Sequence, residues 1–351
     1  MSTPGDAEQP VAASRARLTG LELPEALRIL RGELGAPHLS VLPELEHRGF
    51  AGTRLARTVA SLEGLSADGQ AFGWRLSTAP STESRAARSR LHSEINILAD
   101  VIGSEGPGHR GSTVVELVGP LTLAAQVHLT HGEPVVADHG ARRDLAEAQL
   151  EGLGGLIAQV RAATAGEPVL LRWAEPQLER VLAGQVPTSS GLRTHRAVPR
   201  VEAEQRLEAA AQRCRVLGVE TVLDLGGRIP AEWQIRAFDG LAARPRGSGS
   251  AAWEQLAAQA EEGKRLWLGL STPDRGSRPG SDTVPETARA LWRTWRDLGL
   301  ARDLLRRVRI EEAAGEEGDA VVWGPEAARA VFSASAQIAQ GLWETAGEAE
   351  G

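Results

Sequence analysis

The chain holds one cysteine, Cys214, one lysine, Lys264, and no tyrosine among its 351 residues. A lone thiol excludes an internal disulfide framework and any CxxC zinc site. Apart from Lys264 and the histidines, every basic residue is arginine, in a chain rich in alanine and glycine. That bias reads as a genome-wide preference for G and C in codons, so arginine abundance by itself marks no site. Histidine stops at His195, so the C-terminal part of the chain offers no imidazole. No apolar run approaches the roughly 18–20 residues that a membrane helix needs. Basic excess is missing too: 39 Lys+Arg against 46 Asp+Glu give a net charge of −7, which argues against a nucleic acid partner. The N-terminus, MSTPGDAEQPVAASRAR, has no apolar core and does not read as a secretory signal. With 42% hydrophobic and 24% charged residues, the expectation is a soluble, cytoplasmic α/β protein.

Residues 1–17 are small and polar and read as a disordered tail. Leu23-Pro24-Glu25-Ala26 opens a helix that Gly35 stops, since proline suits a first helical turn. From there short β-type runs alternate with helical stripes. The runs fall at 38–45, 71–76, 113–118, 168–173, 220–225, 234–238, 265–270 and 307–310. Leu145, Leu150, Leu153, Leu156 and Ile157 form one stripe, and Leu207, Ala210, Cys214 and Leu217 another. Eight strands alternating with helices predict a single (β/α)8 barrel over 18–346, with an extra N-terminal helix and short disordered tails. A doubly wound sheet lacks support, because no G-x-G-x-x-G follows the first run. The Gly/Ser-rich stretches 244–250 and 274–281 read as loops, and 347–351 as a frayed end.

In a barrel of this kind the loops after the strands carry the site. Those positions hold Glu44 and Arg48, Trp74 and Arg75, Glu116, Glu175, then Asp224, Gly226 and Arg228, and Glu311 and Glu312. A ring of carboxylates with a few arginines suits a polar small-molecule pocket, although Asp and Glu also cap helices in such places. Thr188, Ser189 and Ser190 form a hydroxyl-rich stretch able to hold an anionic ligand or simply to turn the chain. Trp74 and Trp173 could stack on a flat ring or pack the core. His128, His131 and His139 are loosely spaced, and Asp138 before His139 reads as a helix N-cap rather than part of a metal triad. Cys214 lies on an apolar helical stripe and reads as core.

Longer phrases are more specific. They are Pro37-His38-Leu39 with Leu42-Pro43-Glu44-Leu45; Gly73-Trp74-Arg75-Leu76; Val118-Gly119-Pro120; Ala137-Asp138-His139-Gly140-Ala141-Arg142-Arg143-Asp144-Leu145; and Glu175-Pro176 followed by Val186-Pro187-Thr188-Ser189-Ser190-Gly191. In these the chain resembles the actinobacterial proteins related to the C-terminal barrel of cobalamin-independent methionine synthase. The resemblance implies a (β/α)8 barrel that moves a methyl group from methyltetrahydrofolate to homocysteine, with zinc holding the substrate thiolate. Where that family has its His-x-Cys ligand pair, this chain reads Asp224-Leu225-Gly226. Its acidic ligand corresponds to Asp239, and its second Cys falls near Glu311-Glu312, where no thiol stands. Tetrahedral zinc prefers Cys and His, so no zinc and no other cofactor is expected. Asp224, Asp239, Glu311 and Glu312 could instead converge on a hard cation. The expectation is a methionine-synthase-like protein without zinc-thiolate chemistry, taking a folate-like or amino acid ligand. Its alternatives are a non-catalytic binding barrel and a metal-independent enzyme of the uroporphyrinogen decarboxylase type, the latter with Arg48, Arg75 and Arg228 as its carboxylate clamp.

Overall fold

The computed structural model describes residues 8–106, 111–245, 250–270, 283–312 and 321–349. Eight parallel strands form the central sheet: β1 (Val11–Ala12), β2 (Leu39–Val41), β3 (Ser112–Val118), β4 (Val169–Ala174), β5 (Glu220–Asp224), β6 (Gly240–Ala243), β7 (Arg265–Leu270) and β8 (Val308–Glu312). Pairing runs β1-β8-β7-β6-β5-β4-β3-β2, so the sheet curls until only the seam between β1 and β2 lacks a ladder. There the Ala12 amide donates to His38 Nδ1 at 3.1 Å. The result is a (β/α)8 barrel.

Around it lie α1 (Leu23–Glu33), α2 (Arg54–Ala60), α3 (Thr82–Gly103), α4 (Pro120–Gln126), α5 (His139–Ala163), α6 (Leu178–Leu182), α7 (Arg200–Val216), α8 (Glu232–Ile235), α9 (Ser250–Glu261), α10 (Thr283–Asp297) and α11 (Pro325–Glu348). Alternation along the strands sorts side chains as period-2 geometry requires. Leu171 and Trp173 of β4, Leu223 of β5 and Ile310 of β8 join the core shared with the helices. Val114, Leu170, Val222, Ala242 and Trp267 join a second core that α1 and α11 complete.

Three expectations need correction. Residues 8–17 are no tail: Val11–Ala12 is the first barrel strand, in register with Arg309 and Ile310, and the chain from Val11 to Ser14 is buried. The first seven residues lie outside the description. Because the barrel starts there, α1 follows its first strand. The run at 71–76 is not a barrel strand but half of a hairpin, Ser66–Gln70 against Gly73–Ser77, that covers the region beside α4. The run at 234–238 opens as helix α8, where Gln234 Oε1 accepts the Ala231 amide at 2.7 Å, and the sixth strand comes later at Gly240–Ala243. The loop expected at 274–281 lies outside the described residues. Asp138 is the N-cap expected of it, accepting the Ala141 amide at 2.7 Å, and Cys214 is fully buried.

Candidate functional site

Toward the C-terminal mouth the barrel interior changes character. Instead of the branched apolar side chains usual there, β3 points Glu116 inward, β4 Arg172, β5 Asp224 and β8 Glu311, all buried. Arg15 enters this layer from the segment after β1. Its Nη1 lies 2.8 Å from Asp224 Oδ2 and its Nε 3.4 Å from Glu311 Oε1. Arg172 lies 3.9 Å from the same Asp224 oxygen, pairs with Glu311, and sits 4.8 Å over the Trp267 ring. Arg54, the first residue of α2, pairs with Glu116 and donates its amide to Glu44. Three guanidiniums therefore face three carboxylates, and the layer closes its own charge. Burial opposes ionisation of Asp224, but the fields of Arg15, Arg172 and Arg54 win and hold its pKa below the usual range.

A backbone feature holds Arg15 there. Ala16 has φ +38°, an unfavourable conformation for a residue with a Cβ. Glu312 stabilises that turn by accepting the Arg15 amide at 2.8 Å, the Ala16 amide at 3.2 Å and the Ser14 hydroxyl at 2.9 Å. Ser14 Oγ in turn accepts the Ala16 amide at 2.8 Å. Burial, then the neighbouring Glu311, raises the Glu312 pKa.

Above this layer opens a cavity of about 690 Å³ over the ends of β3, β4 and β5. Its wall includes Arg54, Arg180 of α6, Arg228 from the loop after β5 and Arg244 directly after β6, together with Thr122, Gln126 and Gln177, and no carboxylate among the described residues. Asp224 joins the two levels: its Oδ1 accepts the amides of Gly226 at 2.9 Å and Gly227 at 3.2 Å, while its other oxygen holds Arg15. Both glycines have positive φ, 73° and 85°, which residues with a Cβ rarely adopt.

The expected site residues scatter. Arg228 lines the cavity, and Glu44 and Glu116 lie just behind Arg54. Glu175 is buried at the start of α4, accepting the Leu121 amide at 2.8 Å and both the amide and hydroxyl of Thr122 at 2.7 Å. Burial nevertheless pushes its pKa up to about 7. Arg48 pairs with Glu94 of α3 at 2.9 Å, and Arg75 with Asp68 of its own hairpin at 2.6 Å. Both engage away from the cavity wall, so the arginine clamp of the decarboxylase alternative does not assemble as drawn. Trp74 is buried in the hairpin, stacked on Phe50 with centroids 5.0 Å apart, and Trp173 faces the helices. Thr188, Ser189 and Ser190 occupy an exposed loop fastened to its neighbour, Ser189 donating to the Glu133 carboxylate and the Gly132 carbonyl.

The hard-cation arrangement is overturned. Asp239 precedes β6 at the opposite end of the barrel, accepting the Thr221 amide and hydroxyl at 2.8 and 2.9 Å. Asp224 and Glu311 hold arginines, and Glu312 holds the turn at 14–16. No cluster of three His, Cys, Asp or Glu suited to a metal occurs among the described residues. The positions that would carry zinc do not fit it: Gly226 brings no donor, Asp239 is at the wrong end, and the Arg15 guanidinium sits against Asp224.

Sequence reading missed Arg15, Arg54, Arg172, Arg180 and Arg244. One signal was present: Arg172 stands between Leu171 and Trp173, an ionic residue within an apolar strand.

No protein-family profile matches the chain, and no curated protein does. Among solved structures it is similar to a B12-independent methionine synthase from Shewanella sp. W3-18-1 in complex with selenomethionine. Identity is 12%, 98% of this chain and 97% of that chain are covered, and the TM-score is 0.55. SrfJ from Salmonella typhimurium aligns at 11% identity over 95% of this chain and 75% of that chain, with a TM-score of 0.39. At such identities the first likeness shows the shared barrel fold and nothing finer.

Proposed function

We propose that the chain is a methionine-synthase-like barrel that binds a polar small molecule at its C-terminal mouth without zinc-thiolate chemistry. The observation that carries this reading is the Arg15 guanidinium between Asp224 and Glu311. Zinc activates a thiol because the sulfur enters its coordination shell and loses its proton there. A guanidinium supplies positive charge and hydrogen bonds but no coordination position, and it stays protonated in any protein environment. Burial lowers the Arg15 affinity for a proton, yet the opposed fields of Asp224, Glu311 and Glu116 raise its pKa overall. The same carboxylates that could recruit a metal are thereby neutralised, leaving the cavity above as the place for a ligand.

The assay is methyl transfer from methyltetrahydrofolate to homocysteine, with and without added zinc. The account expects no methionine above the uncatalysed level under either condition. Zinc-dependent turnover would overturn it.

A further inference from the structure

We propose that His38 is a proton-operated latch on the barrel seam: neutral, it holds β1 against β2, and protonated, it releases β1 and loosens the Arg15 that follows. Every neighbouring pair of the eight strands is joined by a backbone ladder except β1 and β2. Across that seam the Ala12 amide donates to His38 Nδ1 at 3.1 Å. The contact needs a lone pair on Nδ1, so the imidazole holding it is neutral. An imidazolium carries N–H on both nitrogens and would set a donor against a donor. Ala12 is fully buried, where an unmet amide is costly.

The rest of the segment is built to pivot. β1 has only two residues in register with β8, Val11 with Arg309 and Ala12 with Ile310, followed by the Ala13 amide on the Ile310 carbonyl at 2.8 Å. Farther along, Arg17–Leu18 is pinned between Glu44–Leu45 and Val322–Trp323. Between these two points lie Arg15 and Ala16, the latter at φ +38°, a conformation with little to recommend it once the strand before it lets go.

The charged groups on the elements around His38 are matched elsewhere or exposed. Arg31 of α1 holds Glu105 at 2.7 Å and Glu167 at 3.0 Å, and Glu167 also accepts the amide of Gly111, which packs on Ala36. Arg309 of β8 donates to the Arg306 and Val308 carbonyls, and Glu8 before β1 is exposed. Burial lowers the His38 pKa from 6.5. A lowered histidine pKa makes the latch complete above the unfolded value and lost as pH falls through the folded one. The carboxyls of the turn do not imitate this. Glu312 has a raised pKa, so acid favours its folded state, and Asp224, held below its ordinary 3.8, stays ionised above that value.

Hydrogen exchange of the full chain at about pH 8 and about pH 5, expressed as protection relative to the unfolded chain at each pH, tests the latch. Peptides covering 8–16 should lose protection in acid, by up to about tenfold per pH unit below about 6.5, while β5 keeps its own. His38→Asn places a side-chain oxygen where Nδ1 stood and does not titrate, so it should abolish the difference. His38→Ala, with no acceptor, should exchange fast over 8–16 at both pH values. His131→Asn and Arg143→Ala, which remove an exposed histidine and an exposed charge, should leave the native difference in place. Equal protection of 8–16 at both pH values, or an acid loss that persists in His38→Asn, would overturn the proposal. Exchange is read without ligand or turnover, so its failure leaves the reading of the mouth untouched.

Discussion

Replacing Arg15 with methionine, which keeps the length of the stem and removes the charge, tests the buried layer directly. In the native chain three guanidiniums meet three carboxylates. In Arg15→Met, Arg172 alone faces Asp224 and Glu311, so the layer carries one buried negative charge in excess. Stranding one partner of a buried ion pair costs about 3–5 kcal/mol. The loss is pH-dependent, because the surplus carboxyl can take up a proton and escape the penalty. Its pKa in the folded variant rises above the unfolded value, so stability is retained at low pH and lost as pH rises through the raised pKa. Urea unfolding at about pH 5 and about pH 8 should therefore show the larger deficit at the higher pH. Adding Asp224→Asn removes the surplus charge while its Oδ1 still accepts the Gly226 and Gly227 amides. The double variant should lose less than the sum of the two single losses, by at least about 1 kcal/mol. A deficit below about 1 kcal/mol in Arg15→Met, equal at both pH values, would refute the reasoning.

Three further outcomes follow from the packing. Glu175 is protonated up to about pH 7 in the folded chain, against a usual 4.5. That contribution is full below the unfolded value and lost as pH rises through the folded one, by about 3 kcal/mol over the window. Glu175→Gln should flatten the slope between those values in a pH series of unfolding curves. Cys214 is buried with its thiol pushed up to about 12, so an aromatic disulfide reagent should react with it only after denaturation. Gly152→Ala sets a Cβ of α5 into the Ser61 carbonyl oxygen, and the forced backbone shift should lower stability by about 1–3 kcal/mol in thermal or urea unfolding.

Much of the barrel was legible because β3, β4 and β7 are rich in Val, Leu and Trp, and β5 and β8 carry short apolar or β-branched stretches, between longer helical segments. Gly73-Trp74-Arg75-Leu76 alternates equally well in a two-stranded hairpin, so pattern alone could not assign its sheet. The sixth strand reads Gly-Leu-Ala-Ala, too small to announce itself, and the first is two residues whose pairing partner is at the other end of the chain. The site was less legible for the same reason. Arg15 looks like any residue of a polar leader until β1 docks beside β8 and sets it between Asp224 and Glu311. Arginine abundance hid Arg180 and Arg244 as well, since only the fold gathers them with Arg228 around one space. What sequence did carry was that positions 224 and 226 hold aspartate and glycine, neither a thiol nor an imidazole, and the fold shows what they do there: Asp224 holds Arg15 and accepts the Gly226 amide.

The central claim is that a guanidinium, not a metal, balances the carboxylates of the barrel mouth. Elemental analysis of the purified chain, saturated with zinc and then dialysed, tests it most directly. The account predicts zinc far below one equivalent, in the native chain and in Arg143→Ala alike. Near-stoichiometric zinc retained after dialysis would contradict it.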